Sequence, residues 1–230
     1  MLDYIIPLVT CVNLDDYLRV SLSRNRCFFK EFYILTSDTD ESTKKLCETF
    51  NVNAIEYENF FNKEYEVEYS SIFNKKVIKK TANMTTIFNK SGGIRYAQEI
   101  LHRMYPDKWI LILDVDIVIT KEVIEELKNK QLDTNYLYGI NRYDVLTMDD
   151  LNNEIKTMPY TTPYSGYFQL YYNKDIYYPE ISHNASICDI FFRDNFDKKE
   201  LINHHVFHLG RAGSHWNGRG IALFFTENQS

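Results

Sequence analysis

Two aspartates, Asp114 and Asp116, interrupt an apolar run that extends from Trp109 to Thr120. A short apolar run between polar residues predicts a strand that is buried on both faces of a sheet. Side chains alternate along a strand, so we expect both carboxylates on one face, within reach of a common ligand. Ionised aspartates are rarely buried unless they are paired or bind a metal. The pattern favours a divalent-metal site at the end of this strand, although Asp-x-Asp also occurs by chance in turns and helix caps.

A second group of residues suited to charged ligands lies between His204 and Gly220. Glycines, histidines and arginines are dense there, which is typical of a loop that approaches an anion closely. If the first residues are extended, His204, Val206 and His208 share one face of a strand. Single histidines are more often structural, but we interpret this cluster as functional.

A third candidate is the segment 89–95, which contains Lys90, two glycines and Arg95 and opens a helical pattern that stops near Pro106. The exposed N–H groups of a helix start, together with two basic side chains, favour an anion site. A Gly-Gly pair also serves as a plain loop. The position of this helix, directly before the aspartate strand, favours the anion site.

One further acid, Asp189, lies inside the apolar helical pattern of Ser186 to Phe192. A carboxylate beside so much apolar surface is unusual and suggests a catalytic role. Interaction with the dipole of the helix is the alternative explanation for an acid near a helix start.

The elements that must position these residues alternate along the first quarter of the chain. Apolar patterns predict strands and helices in the order Tyr4–Thr10 (strand), Asp15–Arg26 (helix), Phe32–Thr36 (strand), Glu41–Phe50 (helix) and Val52–Tyr57 (strand). This order is typical of a doubly wound α/β fold with a mostly parallel sheet. Ligands of such sheets bind beyond the carboxyl ends of the strands, where Thr10 and Asp38 lie. Ligand contact and ordinary loop polarity or capping are both open for these two residues.

The pattern weakens between residues 58 and 86, where an acidic patch is followed by a basic one, and we expect an insertion or a flap there. A regular pattern returns at Phe88, and further elements follow the aspartate strand. We predict a helix that ends near Lys130, a strand at Tyr136–Ile140 and a helix at Thr147–Ile155. The stretch Pro163–Tyr172 predicts a strand that is entered through a turn of small residues. No internal repeat or linker is visible, so the prediction is a single domain over residues 1–230.

The composition of the chain argues against several other classes of protein. The net charge of −6 argues against a general nucleic-acid binder, which usually carries a basic excess. The four cysteines, at positions 11, 27, 47 and 188, lack metal-type spacing and suit a reducing compartment. No apolar run is long enough to cross a bilayer, and the start of the chain lacks the basic region of a signal peptide. We therefore expect a cytoplasmic protein without an integral membrane segment.

Taken together, these parts resemble the GT-A glycosyltransferases over nearly the whole chain. Leu113–Asp116 matches the DxD motif of that family, and the segment 89–95 is similar to the one that precedes the metal strand in many of its members. His208 and Trp216 are spaced like the ends of the HxxGxxKPW loop of these enzymes. Arg211 stands where that loop has its glycine, and Ser and His replace its Lys-Pro pair.

The resemblance implies a hexosyl- or pentosyltransferase of glycan biosynthesis. Such an enzyme moves a sugar from a nucleotide-sugar donor, most often a UDP-sugar, to a glycan or another hydroxyl acceptor. It implies a Mn²⁺ or Mg²⁺ ion held by Asp114, Asp116 and His208. Residues 1–120 would form the nucleotide-sugar-binding half and residues 121–230 the acceptor-binding half. The chain is also similar to small glycosyltransferases of large DNA viruses and bacteria, and a viral member would act in the host cytoplasm.

By the same resemblance, the candidate residues fall into three groups. Donor-binding residues are Thr10, Asp38, Asn89, Lys90, Arg95, Asp114, Val115, Asp116, Arg211, His215, Trp216 and Arg219. The acceptor wall is formed by Ser165, Gly166, Tyr167 and Gln169. An inverting transfer needs a base for the acceptor hydroxyl, and the candidates are Asp189 and then Asp194. A retaining transfer would not need a base in that role.

Two alternatives remain at the level of sequence. The stretch Asp114–Val118 also satisfies the DxDx[TV] pattern of haloacid-dehalogenase-type phosphatases. That family normally carries the motif near the start of the chain, whereas more than a hundred residues precede it here. The second alternative is a non-catalytic nucleotide- or glycan-binding module on a glycosyltransferase scaffold. Incubation with phosphate esters and with nucleotide sugars distinguishes the three activities.

Overall fold

A computed structural model describes residues 1–61, 64–73, 76–85, 88–160, 163–172, 175–181, 185–211 and 214–215. The strands are β1 (Ile5–Thr10), β2 (Tyr33–Ser37), β3 (Asn53–Tyr57), β4 (Glu64–Phe73), β5 (Lys76–Thr85), β6 (Trp109–Asp114), β7 (Ile117–Ile119), β8 (Tyr136–Val145), β9 (Met158–Tyr160), β10 (Phe168–Tyr172), β11 (Lys198–Arg211) and β12 (Ser214–His215). The α-helices are α1 (Asp15–Asn25), α2 (Glu41–Phe50), α3 (Lys90–Met104), α4 (Lys121–Asn129), α5 (Met148–Asn152) and α6 (Ala185–Asp194).

One mixed sheet forms the centre of the molecule, in the order β12-β11-β8-β10-β6-β1-β2-β3, with β7 paired to β11 and β9 paired to β8. The pairings among β3, β2, β1 and β6 are parallel, as is the long pairing of β8 with β11. β10 lies antiparallel between β6 and β8. The predicted doubly wound, mixed α/β sheet flanked by helices is confirmed.

The core has two layers because the central strands send alternate side chains to opposite faces of the sheet. In β6, Trp109, Leu111 and Leu113 belong to the layer that contains the buried side chains of α1, α2 and α4. Ile110 and Ile112 belong to the other layer, with those of α3 and α6. Both faces are therefore covered by helices, which is why the strand reads as a continuous apolar run.

Residues 64–85, where the sequence predicts an insertion or a flap, contain a hairpin. β4 and β5 pair antiparallel as a separate two-stranded sheet. The chain segments on either side of this hairpin are joined to each other. The Asn89 amide donates to the Phe60 carbonyl over 2.6 Å, and the rings of Phe60 and Phe88 stack with centroids 5.3 Å apart. The described residues on either side of β4 and β5 therefore contact each other directly before α3.

The strand that contains the two aspartates differs from the prediction. The expected single strand from Trp109 to Thr120 is broken by a turn at Val115 and Asp116 into β6 and β7. β6 pairs with β1 and β10, whereas β7 pairs with β11. The chain changes partner between the two aspartates, so they do not lie on one face of one strand. Each carboxylate consequently meets a different set of neighbours.

The described helices are short. The longest of them, α3, has 15 residues and is amphipathic. None of the helices in the described ranges has the length and apolar character that crossing a bilayer requires.

A buried histidine makes the stability of this fold depend on pH. His102 lies in α3 with its Nε2 atom 3.1 Å from the Tyr171 hydroxyl, which accepts a hydrogen bond from Gln98. Burial lowers the pKa of His102 to about 4, although Asp175 opposes the shift. An unfolded histidine has a pKa of about 6.5, so the unfolded chain takes up the proton first as pH falls. The contribution of neutral His102 to the free energy of unfolding is therefore fully present above pH 6.5, and it is lost as the pH falls from 6.5 to 4.

We predict that His102→Gln weakens this pH dependence. The free energy of unfolding of the wild type should fall relative to that of the variant by on the order of 1 kcal/mol between pH 7.5 and 4.5. Urea unfolding at several pH values measures the difference. His204→Gln, at an exposed position, is the control. Parallel curves for wild type and His102→Gln would contradict the prediction.

Candidate active site

Four polar residues lie at the carboxyl edge of the main sheet. In the parallel pairing of β1 with β6, Thr10 lies opposite Asp114. In the parallel pairing of β8 with β11, Asp144 lies opposite His208. β6 and β8 run in the same direction because β10 is antiparallel to both. The ends of all four strands therefore lie at one edge, where ligands of such sheets bind.

The first contact at this edge joins Asp116 to His208. The Leu209 amide donates to the Asp116 carbonyl over 2.9 Å, which holds the β6–β7 turn against β11. The His208 Nε2 atom lies 3.2 Å from Asp116 Oδ2, and both side chains are buried. Burial alone would lower the pKa of His208, but the Asp116 carboxylate and the hydrogen bond that the ring donates to Asp144 raise it to about 9. The two residues therefore form a buried ion pair.

Behind His208 lie two residues that the sequence analysis missed. The His208 Nδ1 atom lies 3.0 Å from Asp144 Oδ1, and Arg142 Nε lies 3.4 Å from the same oxygen. Both Asp144 and Arg142 are buried. The predicted strand stopped at Ile140, but β8 continues to Val145. The signal that could have found them is the i, i+2 spacing of two opposite charges directly after an apolar strand.

A second cluster of charges lies around Lys90, in the first turn of α3. The Lys90 ammonium lies 2.7 Å from Asp114 Oδ1 and 3.9 Å from Asp189 Oδ1. Burial opposes the charged form of Lys90, but the two carboxylates hold its pKa above its ordinary value. The structure thus brings together a predicted donor-binding lysine, a predicted metal ligand and the predicted base.

Asp189 is buried in α6 and faces the start of β10. Burial raises the pKa of Asp189 to about 6, and the Lys90 ammonium limits the shift. The Tyr178 hydroxyl lies 3.1 Å from Asp189 Oδ1 and 2.5 Å from Gln169 Oε1. A Cβ atom at Gly166 would collide with the Asp189 carboxylate, so only glycine fits there. Two predicted acceptor residues, Gly166 and Gln169, are therefore neighbours of the predicted base.

The other two predicted acceptor residues lie elsewhere. Tyr167 is buried, donates a hydrogen bond to the Ile140 carbonyl and has its ring 4.9 Å from the Arg142 guanidinium. Ser165 is half-buried in the turn before β10, where its carbonyl accepts from Phe168. Residues 163–167 form the turn through which the chain enters the strand, and β10 begins at Phe168. Ser165 and Tyr167 lie in this turn and not in the strand, so their side chains do not follow the alternation between the two faces of the sheet.

Asn89 and Arg95 have structural contacts. Asn89 Oδ1 accepts from the Gly92 amide and caps α3, and its Nδ2 donates to the Glu180 carbonyl over 3.3 Å. Arg95 donates to the Tyr178 carbonyl over 3.4 Å and pairs with Glu99. Both side chains hold residues 175–181 against α3. Their predicted contact with the donor stays a prediction.

The remaining donor and base candidates differ in exposure. Thr10 is buried, and no hydrogen bond to its hydroxyl is found among the described residues. Asp38 is exposed in the turn after β2, and Val115 is a buried core residue. Asp194 is exposed, and its carboxylate accepts from Arg193 over 2.8 Å. Asp189 is therefore the buried member of the two candidate bases.

The late loop is described in part. Gly210 pairs with His215 and Arg211 pairs with Ser214 in the antiparallel contact of β11 with β12. The predicted donor residues Trp216 and Arg219 lie outside the described residues.

Asp116 and His208 are placed to bind one divalent ion together, whereas the predicted set of three ligands also includes Asp114. In the described part of the chain, no three histidine, cysteine, aspartate or glutamate side chains lie close enough to hold a metal ion together. Two ligands at a right angle, each about 2.1 Å from one ion, are about 3 Å apart, and Asp116 Oδ2 and His208 Nε2 are 3.2 Å apart. Mixed carboxylate and imidazole ligation suits Mn²⁺. Asp114, the third predicted ligand, contacts Lys90 in the structure, and its contact with the ion stays a prediction.

Comparison with known proteins connects this chain to a glycosyltransferase fold. Neither a protein-family model nor a curated protein sequence matches the chain. Among solved structures, it is similar to a mannosyltransferase from Pyrobaculum calidifontis in complex with GDP-Man and Mn²⁺. The TM-score is 0.50 at 11% identity, over 91% of this chain and 58% of that one. The chain shares the fold of this glycosyltransferase. It thus spans little more than half the length of the mannosyltransferase.

A mycobacterial protein has the same type of fold, with a TM-score of 0.52 at 11% identity over 96% of this chain and 69% of the other. At this level of identity the likeness establishes the fold alone. The predicted α/β architecture is thereby confirmed a second time, from a comparison that does not depend on sequence motifs.

The charge cluster around Lys90 predicts a pH-dependent loss of stability. Lys90→Met leaves two neighbouring carboxylates, those of Asp114 and Asp189, without their shared cation. We expect this change to lower the free energy of unfolding by about 3 kcal/mol at pH 8. This decrease in the free energy of unfolding should be smaller at pH 5, because Asp189 is then protonated and needs no neighbouring cation. Chemical unfolding at both pH values measures this. Lys128→Met removes an exposed pair with Glu125 and should cost under about 0.5 kcal/mol. An equal loss for Lys90→Met at both pH values would contradict the prediction.

Proposed function

We propose that this protein is a metal-dependent glycosyltransferase that moves a sugar from a nucleoside diphosphate sugar to a hydroxyl acceptor. The observation that carries the proposal is the buried pair of Asp116 and His208 at the carboxyl edge of the sheet. The Lys90 cluster lies beside it and supplies a candidate base. The fold shared with a mannosyltransferase that binds GDP-Man and Mn²⁺ supports the same conclusion.

On the donor side, Asp116 and His208 would hold a Mn²⁺ or Mg²⁺ ion. That ion would offset the negative charge that develops on the leaving diphosphate. Asp114, whose side chain is one-third exposed, would contact the same ion or the ribose. Thr10 and Asp38, at the ends of β1 and β2, would hold the nucleoside. The remaining donor contacts are assigned to Asn89, Lys90, Arg95, Val115, Arg211, His215, Trp216 and Arg219.

On the acceptor side, Asp189 would remove the proton of the attacking hydroxyl. With a pKa of about 6 it is ionised at neutral pH and is basic enough to accept a proton. The acceptor oxygen would then bond to the anomeric carbon while the bond between that carbon and the diphosphate oxygen breaks. Lys90 keeps Asp189 ionised, and Tyr178 holds its carboxylate in place. Gly166 leaves the space that this carboxylate needs, and Ser165, Tyr167 and Gln169 complete the proposed acceptor wall.

The donor is first proposed to be a UDP-sugar, as the family resemblance implies. The mannosyltransferase of similar fold binds GDP-Man, so a substrate panel needs both bases. The phosphatase alternative would use Asp114 as a nucleophile. The burial of His208 beside Asp116 is explained better by a donor site that binds a metal.

The first test removes one carboxylate of the proposed metal pair. Asp116→Ala should abolish Mn²⁺-dependent release of nucleoside diphosphate from a panel of UDP- and GDP-sugars, because the ion loses a direct ligand. Loss of one partner of this buried pair should also lower the free energy of unfolding by about 3 to 5 kcal/mol, so the rates are compared at a temperature at which circular dichroism shows both proteins folded. Glu125→Ala, an exposed carboxylate of α4, should leave the rate unchanged.

Near-normal turnover of Asp116→Ala would refute the metal assignment. Hydrolysis of phosphate esters in place of nucleotide sugars by the wild type would instead support the phosphatase. Donor binding without any turnover would support a binding module.

The second test compares the two candidate bases. Asp189→Asn keeps the shape of the side chain and should lower kcat by about 10²- to 10⁴-fold with donor affinity retained. Asp194→Asn, at an exposed position of the same helix, should have almost no effect. The kcat of the wild type should fall as pH is lowered through about 6, because the carboxylate must be ionised. Equal rates for Asp189→Asn and wild type would place the base elsewhere or favour a retaining transfer.

A further inference from the structure

We infer that Asp144 is a positioning residue that fixes the imidazole of His208 for the divalent metal, and that Arg142 in turn holds Asp144. The inference rests on the proposed function, because the metal is the group that His208 would bind. Neither residue belongs to a motif of the sequence analysis. Both follow from contacts in the structure.

The geometry of His208 gives the first argument. Its two ring nitrogens have different partners, with Nδ1 3.0 Å from Asp144 Oδ1 and Nε2 3.2 Å from Asp116 Oδ2. A carboxylate on the Nδ1 side keeps a proton on that nitrogen. A divalent ion would displace the proton from Nε2, the nitrogen that faces Asp116, while Asp144 holds the proton on Nδ1. Asp144 therefore selects the tautomer that can ligate.

The position of Asp144 is set by strands on both sides of it. Its register partner in β11 is His208 itself, and its partner in β9 is Met158. The Thr157 hydroxyl donates a hydrogen bond to the Asp144 carbonyl. Asp144 is only 3% exposed. A side chain fixed by two strands holds its neighbour more precisely than a side chain on a loop does.

Arg142 explains how a buried carboxylate is tolerated there. It lies two residues before Asp144 on the same strand, so both side chains leave the same face. Its Nε lies 3.4 Å from Asp144 Oδ1, and its guanidinium lies 4.3 Å from the ring of Tyr160 and 4.9 Å from the ring of Tyr167. Aromatic faces stabilise a desolvated cation. The cation in turn offsets the charge of Asp144, which burial alone would disfavour.

The contacts form one continuous series, Arg142–Asp144–His208–Asp116. A carboxylate hydrogen-bonded to the far nitrogen of a ligand histidine typically raises metal affinity about 10- to 100-fold. A purely structural pair of Arg142 and Asp144 would affect stability but not metal affinity. The two roles therefore predict different results for one variant.

The test measures Mn²⁺ affinity directly, without donor or acceptor, by titration followed by electron paramagnetic resonance. Asp144→Asn preserves the shape of the side chain and removes its charge. We expect its Mn²⁺ Kd to rise about 10- to 100-fold relative to wild type. The matched control is Glu126→Gln. Glu126 is a largely buried carboxylate that binds backbone amides of β11 at Asn203 and His204, so its loss should change stability but leave the Kd unaltered.

A second measurement does not depend on the folding of a variant. In ¹⁵N spectra of wild-type protein loaded with Mg²⁺, the His208 ring should carry its proton on Nδ1. A proton on Nε2 would overturn the inference, as would equal Mn²⁺ affinities of wild type and Asp144→Asn. Failure of the wild type to bind Mn²⁺ at all would overturn the proposed function as well, so the two failures are distinguishable.

Discussion

The structure depends on the buried ion pair between Asp116 and His208. These residues lie 92 positions apart in the chain, Asp116 in the turn between β6 and β7 and His208 in β11. β6 ends among the parallel strands of the first part of the chain, whereas β7 pairs with the late strand β11. The pair closes this junction, and removing one partner of a buried pair typically costs about 3 to 5 kcal/mol. Fold stability and the proposed metal site thus rest on the same contact.

Two groups of charged side chains lie near this junction, and in each group a basic residue stands between two aspartates. Lys90 lies between Asp114 and Asp189, and His208 lies between Asp116 and Asp144. In each case a basic group separates two carboxylates that would otherwise repel one another in a poorly solvated environment. The first of these groups joins the proposed donor side to the proposed acceptor side through α3 and α6. The second joins the proposed metal ligands to the sheet behind them.

Much of this fold could be predicted from local patterns, and most of the unpredicted features depend on distant contacts. The bounds of α2 were predicted at both ends because its helical period and its capping aspartate are local. The turn at Val115 was missed because the apolar run continues through it, and only the pairing with β11 breaks the strand. Asp144 was missed because polar residues after Ile140 read as a loop, whereas β9 and β11 extend the strand. The contacts of Asn89 with residues 175–181 have no signature in the sequence.

The most direct test of the central claim is a thermal-shift titration of the wild type with UDP and with GDP, each with and without Mn²⁺. A ligand that binds only the folded state raises the melting temperature, and more so the tighter it binds. A diphosphate bound through a metal at Asp116 and His208 should raise the melting temperature when Mn²⁺ is present and have little effect when it is absent. An equal shift without Mn²⁺, or no shift with either nucleotide, would contradict a metal-bound nucleotide diphosphate at this edge of the sheet.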